Sequence, residues 1–174
     1  MTNGAEVLNE PEIIQRDAFT LVGVEAPFIG ALSPDANNFD VIPALWHRFI
    51  NRITEVENRA GDANYGLVLT PPVGERSHPD ELLYVAGTVV SGVSSVPEGM
   101  VRHEVPATTY AVFTHRGPIG NLPKTVRFAM EVWLPRSEYR FNRIEVERYD
   151  HRFSIESPQE SEMETWLGIV PADS

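Results

Sequence analysis

The sequence predicts an α+β fold made of two β-α-β-β units, with antiparallel sheets, two helices on one side and a ligand cleft between the halves. Three observations predict this fold class. Two stretches of the chain, about 13–92 and 106–171, show the same order of strand, amphipathic helix, strand and strand. The predicted strands carry continuous or alternating apolar residues, and the predicted helices carry apolar residues at helical spacing. A length of 174 residues favours one domain, or two halves that share a core.

The first unit opens with a strand at 19–26, where both faces are apolar, as is typical of a central strand. A helix follows at 39–58, with Pro43 in its first turn. Its apolar stripe has helical spacing and consists of Ile42, Leu45, Trp46, Phe49 and Ile53. Strands at 65–69 and 82–90 complete the unit, and the connector between them is rich in turn residues.

The second unit repeats this order after an extended crossover at 91–106. Strands are predicted at 108–115, 144–149 and 163–170, with a helix at 122–134 between the first two. Pro135 ends this helix because proline lacks the N–H group that the helical ladder needs. Gly168 interrupts the last strand, which predicts a β-bulge there.

Composition narrows the classes of function. The formal net charge is −11, and an acidic surface repels phosphate backbones, so no nucleic-acid partner is expected. The chain has no Cys, and its five His residues show no metal-binding spacing, so neither a metal nor an organic cofactor is expected. No apolar stretch approaches the roughly 18 residues that span a bilayer. Residues 1–12 form an acidic tail without the features of a secretory signal, which predicts a cytoplasmic protein without membrane contact.

The penultimate predicted strand carries two glutamates that could serve a binding site. Period-two geometry places Glu145, Glu147 and Tyr149 on one face. Ile144 and Val146 share the other face. If this apolar pair lies under the helices, the carboxylates face the opposite side of the sheet.

The last strand adds a second acidic and aromatic set. Glu162, Glu164 and Trp166 share a face, so a hairpin of the last two strands would present carboxylates among aromatic rings. Such a pocket suits a delocalised or quaternary cation, because ring faces attract positive charge and a carboxylate acts more strongly in a dry site. The alternative is that these glutamates form the solvated face of an antiparallel sheet.

Several segments, in their order and spacing, are shared with a known family. In the second half they are PATTYAVFTHRGPIG (106–120), VWLPRSEY (132–139), VERYDHRF (146–153) and METWLGIVP (163–171). In the first half they are IPALWHRF (42–49), YGLV (65–68) and LLYVAGTVV (82–90). From about residue 13 to 171 the chain resembles the GyrI-like, or gyrase-inhibitor-like, small-molecule-binding family. That family also supplies effector-binding domains of AraC-type and MerR-type transcription regulators, and here the resemblance implies its free-standing form.

The resemblance implies a set of ligand-binding residues. In that family an acidic residue on the penultimate strand contacts cationic ligands, and aromatic side chains of facing strands and the first helix form the pocket walls. The matching acid is Glu147. The matching aromatic residues are Trp46, Tyr65, Tyr84, Phe113 and Trp166, with Tyr149 beside the acid.

Three of these residues have a structural alternative, and three other residues are expected to be structural. Trp46 lies in the apolar stripe of the first helix and suits core packing, while Tyr65 and Tyr84 suit capping of the sheet. Trp133 and Tyr110 are predicted to be core residues. His115 is expected to hydrogen-bond the glycine turn that follows it.

The residues and the family resemblance together imply three functions, of which the first is preferred. The first is non-catalytic binding of amphipathic, aromatic and cationic compounds above a buried Glu147. The second is hydrolysis of strained electrophilic natural products, with Glu147 paired with Glu145 or Glu164 as acid and base. The third is inhibition or modulation of a protein partner such as DNA gyrase. An exposed strand edge at the seam of the repeats is also expected, and it would allow a homodimer.

Overall fold

The computed structural model describes residues 10–92 and 95–173, which form an antiparallel sheet with two helical segments. The strands are β1 (Glu12–Arg16), β2 (Phe19–Ile29), β3 (Asn64–Leu69), β4 (Glu81–Val90), β5 (Val101–Val105), β6 (Thr108–Arg116), β7 (Tyr139–Tyr149) and β8 (Glu162–Pro171). The helices are α1 (Asn38–Ile50) and α2 (Leu122–Arg127). The second helix continues through a π-helical turn, Phe128–Trp133, and a 3-10 turn, Leu134–Arg136.

The two halves meet in the middle of one continuous sheet. The strand order is β1-β6-β8-β7-β3-β4-β2-β5, so the units β2-α1-β3-β4 and β6-α2-β7-β8 join where β3 pairs with β7. That pairing runs from Asn64 opposite Tyr149 to Leu69 opposite Ile144. The duplicated fold is therefore confirmed. The expectation of an exposed strand edge at the seam is wrong, because both seam strands are paired and the sheet edges are β1 and β5.

The sheet is strongly curled. Only Asp17 and Ala18 join β1 to β2, although these strands stand first and seventh in the sheet. A flat sheet would separate them by roughly 29 Å, whereas the connection reaches at most about 11 Å. The equally short link of Pro106 and Ala107 joins β5 to β6, which stand eighth and second. The two ends of the sheet must therefore curve toward each other.

Both faces of the sheet are buried, one under the helices and the other inside the curl. Side chains that face the helices pack against Leu45 and Phe49 of α1 or Trp133 of the second helical segment. The opposite face carries its own core of Leu21, Tyr65, Leu67, Val85, Tyr110, Val146 and Trp166. The core predictions for Tyr110 and Trp133 are confirmed, since their exposed fractions are 0% and 9%.

The apolar pair of β7 lies on the face away from the helices. Ile144 and Val146 belong to the opposite core, so Glu145 and Glu147 point to the helix side. The condition set for the opposite arrangement, that Ile144 and Val146 lie under the helices, is not met. The physical reason is that a sheet buried on both faces offers apolar surroundings on either side.

Several element boundaries differ from the predicted ones. Helix α1 ends at Ile50 instead of Asn58, because the chain tightens into a 3-10 turn at Ile53–Glu55. Pro43 lies inside α1 and not in its first turn. The predicted crossover at 91–106 contains strand β5. Residues 93–94 of this crossover lie outside the described residues.

The irregularity predicted at Gly168 is present, but it lies on the neighbouring strand. The pairing of β7 with β8 shifts register between Phe141 and Glu145, where Arg143 adopts a φ of 68°. A Cβ on Gly168 would lie 2.1 Å from Oδ1 of Asn142. The glycine thus leaves room for a bulge in its partner.

The N-terminal segment is only partly described. Of the predicted tail, 1–12, residues 1–9 lie outside the described residues, and Glu12 already begins β1. No helix among the described residues is long and apolar enough to cross a membrane.

Candidate functional site

A cavity of about 560 Å³ lies between α1 and α2, above the seam of the two halves. Its size falls in the range of small-molecule sites. The first half supplies Phe28, Phe39, Ile42, Val68 and Tyr84, among others. The second half supplies Leu122, Val126, Met130, Phe141, Glu145, Glu147 and Tyr149, among others. Two β-α-β-β units therefore build one site that neither forms alone.

The carboxyl group of Glu147 is buried and contacts two phenols. Only 5% of this residue is exposed. Tyr84 donates a hydrogen bond to its Oε1 at 3.0 Å, and Tyr149 donates one to its Oε2 at 3.0 Å. Both carboxylate oxygens therefore have a hydrogen-bond donor, which is what a buried acid requires.

Trp46 orients the Tyr84 hydroxyl from behind the cavity. Its indole N–H donates a hydrogen bond to that hydroxyl at 2.9 Å. Because indole N–H is only a donor, the phenol must accept here and direct its own proton to Glu147. The Trp46 ring also packs against Tyr149 with centroids 5.3 Å apart.

Gly66 of β3 makes room for this arrangement. A Cβ at this position would lie 2.2 Å from the Tyr84 hydroxyl and 3.3 Å from Oε1 of Glu147. The Tyr84 phenol therefore crosses the backbone of β3 at a glycine, because any side chain there would block it. Sequence reasoning missed Gly66, although a glycine inside a central strand is a known sign of close approach by another group.

Glu145 is a second carboxylate in the same cavity, two residues before Glu147. It is half-buried, and its Oε1 accepts a hydrogen bond from the Thr165 hydroxyl at 3.0 Å. Among the described residues, no side chain donates a hydrogen bond to its Oε2. This carboxylate therefore retains an open acceptor beside the cavity.

Burial raises the pKa values of both acids. Desolvation, together with the nearby charge of Glu145, raises the pKa of Glu147 to about 7, against the opposing effect of its two phenol donors. Desolvation also raises the pKa of Glu145, opposed by the bond from Thr165. The pKa values of Tyr84 and Tyr149 lie well above their usual range, mainly because both phenols are buried.

The charged residues that line the cavity are mostly acidic. Among the described residues they are Asp80, Glu81, Glu145 and Glu147, with Arg76 as a single cation. The guanidinium of Arg76 donates hydrogen bonds to the carbonyl oxygens of Pro71 and Pro79, so it holds the connector at the mouth. Within the described part of the chain, no cluster of three His, Cys, Asp or Glu residues could hold a metal ion.

The structure brings together some of the predicted site residues and separates others. Glu147, Tyr84 and Tyr149 line the cavity, and Trp46 contacts Tyr84 behind it. Phe113 does not line it, since its ring packs against Phe128 and Trp133 under the second helical segment.

Two predicted wall residues lie on the other face of the sheet. The rings of Tyr65 and Trp166 pack against each other in the opposite core, so they are not walls of this cavity. Glu164 shares that face and accepts hydrogen bonds from Trp166 and Arg152. Of the two acids considered as partners of Glu147, the cavity therefore contains Glu145 and not Glu164.

His115 ties a turn together, in line with its expected structural role. Its Nε2 donates to the carbonyl oxygen of Pro118 at 3.0 Å, and its Nδ1 shares a hydrogen bond of 2.8 Å with the Thr125 hydroxyl. These bonds fix the start of α2 against β6.

Comparison with known proteins identifies this architecture. The model of the GyrI-like small molecule binding domain family matches residues 9–170. The chain belongs to this family. The duplicated sheet and the cavity between its halves are thus those of a GyrI-like small-molecule-binding domain.

One relative is a transcription regulator. Transcriptional regulator BrlR of Pseudomonas aeruginosa is 33% identical over 159 residues, which cover 90% of this chain and 54% of BrlR. The chain therefore spans about half the length of this curated relative.

Two solved structures share the fold at low sequence identity. SAV2435 bound to tetraphenylphosphonium has a TM-score of 0.66 and 16% identity, over 93% of this chain and 94% of that one. EcmrR in its complex with DNA has a TM-score of 0.66 and 13% identity, over 94% of this chain and 58% of that one.

Proposed function

We propose that this GyrI-like domain binds amphipathic, aromatic cations, with Glu147 as the buried counter-charge. The observation that carries the proposal is a carboxylate, 5% exposed, at the base of a largely apolar cavity of about 560 Å³. Burial of an acid that no described cation neutralises is costly, and a cationic ligand would remove that cost. The proposed role is therefore binding, as in a sensor or a sequestering protein.

The walls and the charge balance support the same ligand class. Phe28, Phe39 and Tyr84 present aromatic surface, which attracts delocalised cations through ring faces and buries their apolar area. In the described part of the chain, four acidic side chains and a single basic one line the cavity, which disfavours anions. The tetraphenylphosphonium bound to SAV2435 is a cation of this class.

The relatives support a sensing role for the bound state. BrlR is a transcriptional regulator, and EcmrR was solved with DNA. In such regulators, a GyrI-like domain would sense a cation by binding it in the cavity. In this proposal the ligand acts by occupying the cavity between the halves and not by being consumed.

The decisive experiment compares two ligands of nearly equal shape and opposite charge. Calorimetric titration with tetraphenylphosphonium and tetraphenylborate should show binding of the cation at least roughly a hundredfold tighter. Glu147→Gln should weaken binding of the cation by roughly tenfold or more, because the amide keeps the shape of the side chain and removes its charge. Glu138→Gln, which removes an equal charge from an exposed loop outside the cavity, is the matched control. Equal binding of both ions, or a silent Glu147→Gln, would contradict the proposal.

Hydrolysis is a second candidate because two acids share the cavity. With the pKa of Glu147 at about 7, this residue can donate a proton near neutral pH, and the Oε2 atom of Glu145 is open to accept one. In a strained ring, water would form the new C–O bond, the ring C–C bond would break, Glu147 would protonate the carbon and Glu145 would take the proton of water. Mass spectrometry of an activated cyclopropane after incubation would show a gain of one water, lost in either Gln variant.

A further inference from the structure

We infer that Glu145 makes the cavity selective for cations that carry an N–H group, such as protonated amines, over quaternary cations. This inference rests on the proposed function, in which Glu147 supplies the buried charge. It concerns the chemical class of the ligand and the division of labour between the two carboxylates.

The two acids differ in what they can still bind. Both oxygens of Glu147 already accept hydrogen bonds from phenols, and the residue is only 5% exposed. Its charge acts on any cation in the cavity, but each oxygen already accepts a bond from a phenol and is almost fully covered, so little of it is open to an N–H group of the ligand. Glu147 therefore acts on any cation and does not distinguish an N–H from a methyl group.

Glu145 offers the directional contact that Glu147 lacks. Thr165 occupies its Oε1, whereas its Oε2 accepts no hydrogen bond from the described side chains. The residue is half-buried and lines the cavity, so a ligand can approach that oxygen. A charged hydrogen bond to a carboxylate is among the stronger polar contacts, and its geometry requires a donor on the ligand.

A quaternary cation cannot form this contact. Its methyl groups would cover Oε2 of Glu145 without supplying a donor, so an exposed acceptor would become a buried and unsatisfied one. A protonated amine of the same shape would satisfy it. The difference between two such ligands isolates the role of Glu145 from that of Glu147.

The test uses two naphthalimide dyes that differ only in one arm, dimethylaminopropyl or trimethylammoniopropyl. Fluorescence titration at pH 8 keeps the amine protonated and Glu147 mostly ionised. Wild type should bind the amine roughly tenfold tighter or more. Glu145→Gln should remove most of that preference and change binding of the quaternary dye by less than about threefold. Glu147→Gln should weaken both dyes alike.

Controls and contrary outcomes are distinct. Glu138→Gln and the melting temperature of each variant account for net charge and folding. Equal loss of both dyes in Glu145→Gln, or no loss of either, would overturn the role of Glu145 and leave the proposed function intact. Unchanged binding in Glu147→Gln would overturn the proposed function, and failure of wild type to bind either dye would contradict both.

Discussion

At the scale of single residues, Glu147 couples ligand binding to protonation. Folding raises the pKa of this carboxyl from 4.5 to about 7. Between these values the folded chain holds a proton that the unfolded chain has released, so stability falls as pH rises through this window. The full shift corresponds to roughly 3 kcal/mol of unfolding free energy.

The same proton predicts an opposite trend in binding. A permanently charged cation needs ionised Glu147, so affinity for tetraphenylphosphonium should rise roughly tenfold between pH 6 and pH 8. The unfolding free energy should fall over pH 5 to 8, as measured by urea titration. Glu147→Gln should flatten most of both trends; a smaller dependence of the same sign would remain from Glu145, whose pKa is also raised. Affinity that is constant with pH in wild type would contradict this coupling.

Only part of this residue chemistry could be predicted from sequence. The family resemblance and the period of the strand predicted Glu147 with Tyr149 beside it, and both line the cavity. The face could not be inferred, because Ile144 and Val146 are equally at home in the opposite core. The bonds among Trp46, Tyr84 and Glu147 join α1, β4 and β7, so they depend on how distant segments are placed, which the pattern within one segment does not give.

At the scale of elements, β3 controls the reach of Tyr84 across the sheet. Gly66→Ala would place a methyl group 2.2 Å from the Tyr84 hydroxyl, so the phenol must move away from Glu147. We expect a loss of about 1–3 kcal/mol in unfolding free energy, typical of an overfilled core. Losing this donor should also raise the pKa of Glu147 further, which weakens cation binding at pH 7.

Urea titration and tetraphenylphosphonium binding at two pH values test this prediction. Binding by the Gly66→Ala variant should recover partly at pH 9, where Glu147 ionises despite the lost donor. Gly74→Ala is the matched control, because a Cβ there meets no atom within 4 Å. If both variants behave alike, the packing of Tyr84 over Gly66 does not support the site.

The strands of the two units could be predicted from sequence, and the two outer strands could not. In β5, the alternation of Val101, His103 and Val105 was available, but Pro97, Gly99 and Pro106 made the segment resemble a connector. The predicted length of α1 was too great, because Ile53 continues the apolar stripe into a 3-10 turn beyond the end of the helix. Short edge strands carry few residues, so their pattern competes poorly with neighbouring turn residues.

At the scale of the whole molecule, the β3–β7 pairing sets the register of the two halves, and the curl of the sheet brings its distant strands together. The curl brings β1 to β2 across six strand spacings. At that junction the Arg16 guanidinium lies 4.7 Å from the ring centroid of Phe19 and 5.0 Å from that of Trp166. It also lies 5.8 Å from the ring of Tyr65. One cation therefore links strands β1, β2, β3 and β8.

These ring contacts predict a large effect for a residue at the edge of the sheet. Arg16 forms no ion pair within the described ranges, so its attraction to the three rings and its packing carry its contribution. Arg16→Ala should lower the unfolding free energy by about 1–3 kcal/mol in urea titration followed by tryptophan fluorescence. Arg16→Lys should lower the unfolding free energy by less than Arg16→Ala, because the ammonium keeps the positive charge. Some loss should remain, because an ammonium cannot stack on the rings. Gln15→Ala, which changes an exposed neighbour on the same strand, is the control. An Arg16→Ala variant as stable as that control would show that the ring contacts of Arg16 do not stabilise the curled sheet.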